Sequence, residues 1–140
     1  MSSRATQLIL SAVLLIAGGY LYLAFRTEKL TMFRWFNAMH MDGLVSWIRE
    51  KSGTVCLPVF VKYCLPNGLW ISSYLLAANA IVTQNKLAWA LSLPVIAIVF
   101  EFLQIWNIIP GTFDLGDLLC LLIPVLIYLL YYSFHNEKST

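Results

Sequence analysis

Two pairs of polar residues in the last third of the chain have types and spacing that could do chemistry: Glu101 with Gln104, and Asp114 with Asp117. Each pair is three positions apart, so on a helix its members share one face. Carboxylates held together repel, which makes at least one harder to ionise. Such a group can act as general acid while its neighbour acts as base. Hard oxygen ligands of this kind also suit a divalent cation such as Mg²⁺ or Ca²⁺. Both chemistries stay open on these residues. Glu101, Asp114 and Asp117 are the candidate catalytic residues, and Gln104, Thr112 and Asn79 are the candidate binding residues.

Purely structural roles compete for several of them. Asp114 follows Gly111-Thr112-Phe113 as a natural N-cap. Asp117 suits the positive end of a helix dipole, and Asn79, inside an apolar run, suits a hydrogen bond between helices. Glu101 differs. It lies within an apolar segment that offers no Lys or Arg as partner, with Gln104 or Asn79 as the expected hydrogen-bond partners. An ionisable group at membrane depth costs roughly 2.5–3.5 kcal/mol on insertion scales, so its presence there points to function.

The elements that must position these residues are long apolar runs. About 20 apolar residues span a hydrocarbon core as a helix. Residues 7–25 form one such run, between Arg4 and Arg26. Its far end carries Tyr20 and Tyr22 in place of a small-x-small cleavage site, so an uncleaved span is expected. Further spans are predicted at about 67–84, 86–106 and 114–133. Pro66-Asn67-Gly68 reads as the turn before the second span. Gln84-Asn85-Lys86 is a connection short enough to force antiparallel neighbours, and Pro94 is expected to kink the third span. Pro110-Gly111 separates the last two, so Glu101, about 9 Å from the end of its helix at 1.5 Å per residue, would approach the acidic start of the fourth.

Between the first two spans the pattern changes. Residues 30–51 interleave Phe33, Phe36, Leu44 and Trp47 with Arg34, Asp42 and Arg49 near helical spacing. This predicts an amphipathic helix lying in the membrane interface. His40, two residues from Asp42, is simplest as an interfacial histidine. Cys56, Cys64 and Cys120 form no CxxC or metal-finger spacing. Cys120 reads as a small buried apolar residue, and a Cys56–Cys64 pair requires an oxidising compartment.

Composition agrees with lipid as the solvent. Of 140 residues, 60% are hydrophobic and 11% charged, against about 45–50% and roughly 25% in soluble domains. A net charge of +2 with no dense basic block argues against nucleic acid as a partner. Six Lys or Arg fall in residues 26–62, against Arg4, Lys86 and Lys138 on the other side, and the length of that first loop leaves orientation open.

Glu101-Phe102-Leu103-Gln104, followed by Pro110-Gly111-Thr112-Phe113-Asp114-Leu115-Gly116-Asp117, resembles the VanZ-like family of bacterial membrane proteins. That resemblance implies a multi-pass protein of the bacterial cytoplasmic membrane, with Glu101, Gln104, Asp114 and Asp117 as its shared polar positions. It also implies an association with low-level glycopeptide resistance. The pattern departs from the family at Thr112, where an Arg is usual, and at Leu121, where an Asn is usual. The region Pro66-Asn67-Gly68-Leu69-Trp70 stands in place of an Asp-Lys-x-x-His-type motif. A basic anchor is thus missing from its usual place, with Lys62 and Arg49 as replacements.

The sequence therefore predicts an all-α, single-domain integral membrane bundle over residues 1–140, with four spans and one interfacial amphipathic helix. The expected function is binding or processing of an envelope lipid or cell-wall precursor headgroup at the carboxylate cluster. The alternative is a non-catalytic scaffold or accessory subunit of a larger membrane complex.

Overall fold

The computed structural model describes residues 3–26, 31–109 and 112–136. The Pro110-Gly111 turn, Glu28, Lys29 and Lys138 lie outside the described residues. Among the described residues there are seven helices and no strand. They are α1 (Arg4–Phe25), α2 (Thr31–Ala38), α3 (Asp42–Ser52), α4 (Val59–Tyr63), α5 (Leu65–Ile81), α6 (Lys86–Ile105) and α7 (Leu115–Asn136).

Three of these, Arg4–Phe25, Lys86–Ile105 and Leu115–Phe134, are long and apolar enough to cross a membrane. Their outer faces are apolar as well. Ile9 and Ile16 on α1, Val95 and Phe100 on α6, and Leu126 and Leu130 on α7 are all exposed. Contiguous exposed apolar surface of this kind has no place in water, and it marks the chain as a membrane protein.

Helix α5 is the axis of the bundle, packing against α1, α6 and α7. Its buried positions, Pro66, Gly68, Ile71, Ser73, Leu75, Ala78 and Ala80, surround the helix rather than following one stripe. Small residues let neighbouring backbones approach closely, which is how helices associate where no hydrophobic drive exists between them. Gly18 of α1 sits against α5: a Cβ there would come within 2.7 Å of the Trp70 ring and 3.2 Å of the Pro66 carbonyl. Gly68 meets the Cys120 carbonyl of α7 in the same way, at 3.1 Å. Gly19, beside Gly18 in sequence, faces open space. Deeper in the α1–α5 contact, Ser11 and Ser73 each donate to the other's backbone carbonyl at 2.8 Å.

These contacts fix the directions. The end of α1 lies at the start of α5, so the two are antiparallel. The four-residue connection 82–85 turns α5 back into α6, with Asn85 at φ 50°, a left-handed conformation that Asn tolerates. The Tyr74 hydroxyl of α5 then donates to the Trp89 carbonyl at 2.8 Å. Ile71, Leu75, Ala78, Ala90, Leu121, Val125 and Tyr128 make the core between α5, α6 and α7.

Two local expectations are corrected. Pro66-Asn67-Gly68 is not a turn: it forms the first turn of α5, where a proline is accommodated because its missing N–H has no intrahelical partner there. The segment 30–51 is not one helix. It breaks after Ala38 and resumes at Asp42, with His40 at φ 57° between. Such a φ cannot be carried through a right-handed helix. Pro94 lies fully buried inside α6, which continues through it.

Candidate functional site

Glu101 belongs to the last turns of α6, with its side chain toward the bundle, only 7% exposed. Its Oε1 accepts the backbone N–H of Asp114 at 3.0 Å, and its Oε2 accepts from Gln104 Nε2 at 3.4 Å. Glu101 thus receives an amide at the threshold of α7, one that the helix itself cannot satisfy. Asp114 is exposed, and its Oδ1 accepts the Gly116 N–H at 2.8 Å. It caps its own helix, as its position after Phe113 predicts.

Asp117, one turn into α7, points inward at 14% side-chain exposure, and its Oδ2 lies 3.7 Å from Arg26 Nη2. The Cys64 thiol and the Asn67 amide also face this carboxylate. Its Oδ1 is buried and has no hydrogen-bond partner among the described residues.

Arg26 is the cation that meets these carboxylates. It closes α1, and its Nη2 donates to the Tyr63 carbonyl at 2.8 Å. Its guanidinium carbon lies 5.8 Å from the centre of the Tyr22 ring and 5.3 Å from that of Tyr63, within the range of cation–π attraction. Its charge reaches Glu101 as well as Asp117. The replacements expected from sequence stand further back. Arg49 donates to the Arg26 carbonyl and stacks over Phe33, 4.9 Å from the ring centre. Lys62 lies over the Phe25 ring.

The structure therefore brings together Glu101, Gln104, Asp114 and Asp117, and adds Arg26, Cys64 and Asn67. It leaves out Asn79. That residue donates to Gln7 Oε1 at 3.2 Å, twelve positions along α5 from Asn67 and so about 18 Å away at 1.5 Å per residue. Asn79 joins α1 to α5 and bonds neither to Glu101 nor to the cluster. Thr112 is exposed on the α6–α7 connection.

Cys64 is buried, and Cys56 is exposed. All three cysteines are free, so Cys56 and Cys64 are not paired. Burial pushes the Cys64 thiol up to about 11, with the Asp117 and Asp114 carboxylates adding to the effect. A thiol so shifted stays protonated at neutral pH and is a poor nucleophile. No group of three or more His, Cys, Asp or Glu among the described residues is arranged to hold a metal ion. What remains among the described residues is an ionic cluster, Arg26 among carboxylates, at the end of the bundle where α1, α5, α6 and α7 meet. Arg26, Cys64 and Asn67 had no sequence signal tying them to the carboxylates, although an arginine ending an apolar run beside Tyr22 and Phe25 is an anchor in its own right. No protein-family model, curated protein or solved structure matches this chain.

Proposed function

We propose that the chain is a VanZ-like protein of the bacterial cytoplasmic membrane that binds the polar headgroup of an envelope lipid or cell-wall precursor at the Arg26–Asp117–Glu101 cluster. In this reading α5 is a fourth span. Its 17 residues rise about 25 Å, close to the roughly 30 Å hydrocarbon thickness. Helices α2 and α3 then lie in the interface on the side of the cluster. The observation that carries the reading is the pairing of Arg26 with a mostly buried Asp117 that keeps an unsatisfied oxygen. Burying charge in a bundle that the flanking apolar contacts already hold together is costly, and a ligand that uses the free oxygen and the guanidinium offsets that cost.

Roles divide by geometry. Arg26 attracts the anionic part of a headgroup, and Asp117 accepts from its hydroxyl or amine. Glu101 holds the mouth of α7 in place, with Gln104 orienting it. Expression in a bacterium, scored for teicoplanin susceptibility, tests the family reading. Reduced susceptibility with the wild-type chain, lost in Asp117→Asn at equal membrane abundance, supports it. Unchanged susceptibility with both chains contradicts it.

A second reading, a scaffold subunit, draws on the Glu101–Asp114 bond. That bond gives Glu101 a structural role without any ligand. A complex with a larger membrane protein that survives mild detergent and is indifferent to Asp117→Asn favours it.

A further inference from the structure

Helices α2 and α3 are joined through His40, whose φ of 57° turns the chain between them, and residues of both line a cleft of about 350 Å³. Its floor is apolar, made by buried Phe33 and Val45. Its walls are polar and of opposite charge. Arg34 and Asn37 stand three apart on α2, and Asp42 and Ser46 four apart on α3, so each pair presents one helix face to the cleft. All four are exposed. Among the described residues no hydrogen bond or ion pair occupies the Arg34 or Asp42 side chain, although both line the same small space. Trp35, Met39 and Trp47, on these helices and the turn between them, are exposed at 64%, 58% and 59%. Tryptophans on short amphipathic helices settle at the headgroup level of a bilayer.

We propose that this cleft is a second, separate site that takes the headgroup of an aminophospholipid, one bearing both a phosphate and a primary ammonium. The guanidinium of Arg34 matches a phosphate through paired N–H donors. Asp42 accepts N–H bonds from the ammonium. Asn37 and Ser46 can add hydrogen bonds to the phosphate's ester oxygens. A choline headgroup has the same charges but no N–H to donate, and a glycerol headgroup has no cation. The assignment rests on the membrane setting and is independent of any ligand at Arg26 and Asp117.

The test is lipid retention by the full-length protein, purified in mild detergent with equimolar phosphatidylethanolamine, phosphatidylcholine and phosphatidylglycerol, read by native mass spectrometry. Phosphatidylethanolamine is expected to bind about tenfold more tightly than either competitor, the worth of one charge-assisted hydrogen bond. Arg34→Gln and Asp42→Asn are expected each to remove that preference with helix content unchanged. Both positions are exposed, and Asn37→Ala supplies a third variant that spares both charges. Equal retention of the three lipids, or a preference that survives both charge variants, overturns the proposal. Displacement by tail-free glycerophosphoethanolamine at matched concentration overturns the lipid assignment.

Discussion

Arg26 at the end of α1 reaches Asp117 in the first turns of α7, with Nη2 and Oδ2 3.7 Å apart and the two side chains 21% and 14% exposed. The residues are far apart in sequence and meet only because α5 holds α1 and α7 on either side of itself. A cation and an anion so placed are coupled, and several consequences can be measured.

Removing one partner leaves the other without compensation. Arg26→Gln and Asp117→Asn are each expected to lower thermal stability in detergent. The double variant is expected to lose less than the sum, with a coupling of about 1–3 kcal/mol. A double-mutant cycle on unfolding midpoints checks this, and strict additivity would show that the pair is incidental.

Glu101 is expected to tolerate a neutral isostere and not a truncation. Glu101→Gln keeps an oxygen to accept the Asp114 N–H. Glu101→Ala strands that amide, at about 1–3 kcal/mol. Comparing the two by thermal unfolding separates the structural role of Glu101 from any part in ligand binding, since both variants remove the charge.

Two adjacent glycines should behave in opposite ways. A side chain at Gly18 meets Trp70 and the Pro66 carbonyl, and one at Gly19 meets nothing within 4 Å. Gly18→Val is expected to separate α1 from α5 and cost about 1–3 kcal/mol by overpacking, while Gly19→Val stays near wild type. Equal effects in unfolding assays would contradict the α1–α5 contact.

Thiol chemistry should single out one cysteine. Cys56 is exposed, whereas Cys64 and Cys120 are buried. The thiolate is the reactive form, and the Cys64 thiol, raised to about 11, is protonated until the pH approaches that value. Maleimide labelling at neutral pH is expected at Cys56 alone. Peptide mapping that finds Cys64 labelled there would contradict its burial beside Asp117.

The part of the site legible in sequence was the local part. Glu101 with Gln104, and Asp114 with Asp117, are set by helical spacing and one short connection, and the capping role of Asp114 follows from its position alone. Arg26 was hidden because its partnership depends on how three helices pack, which periodicity does not encode. Lys62 and Arg49 are the replacements expected from sequence, yet one lies over Phe25 and the other holds the Arg26 carbonyl. Asn79 illustrates the converse: its type suited a site, but its depth along α5 put it beside Gln7. Segment 30–51 has amphipathic spacing throughout, so its break at His40 was invisible until the backbone showed a left-handed residue.

The joint role proposed for Arg26 and Asp117 is to hold a headgroup. Its most direct test is titration of a lipid-linked cell-wall precursor into the purified full-length protein, with binding read for wild type, Arg26→Gln, Asp117→Asn and the double variant. Binding by wild type is expected, with a loss of at least about tenfold in each single variant and little further loss in the double. Absence of binding by wild type, or wild-type affinity in both single variants, would contradict it.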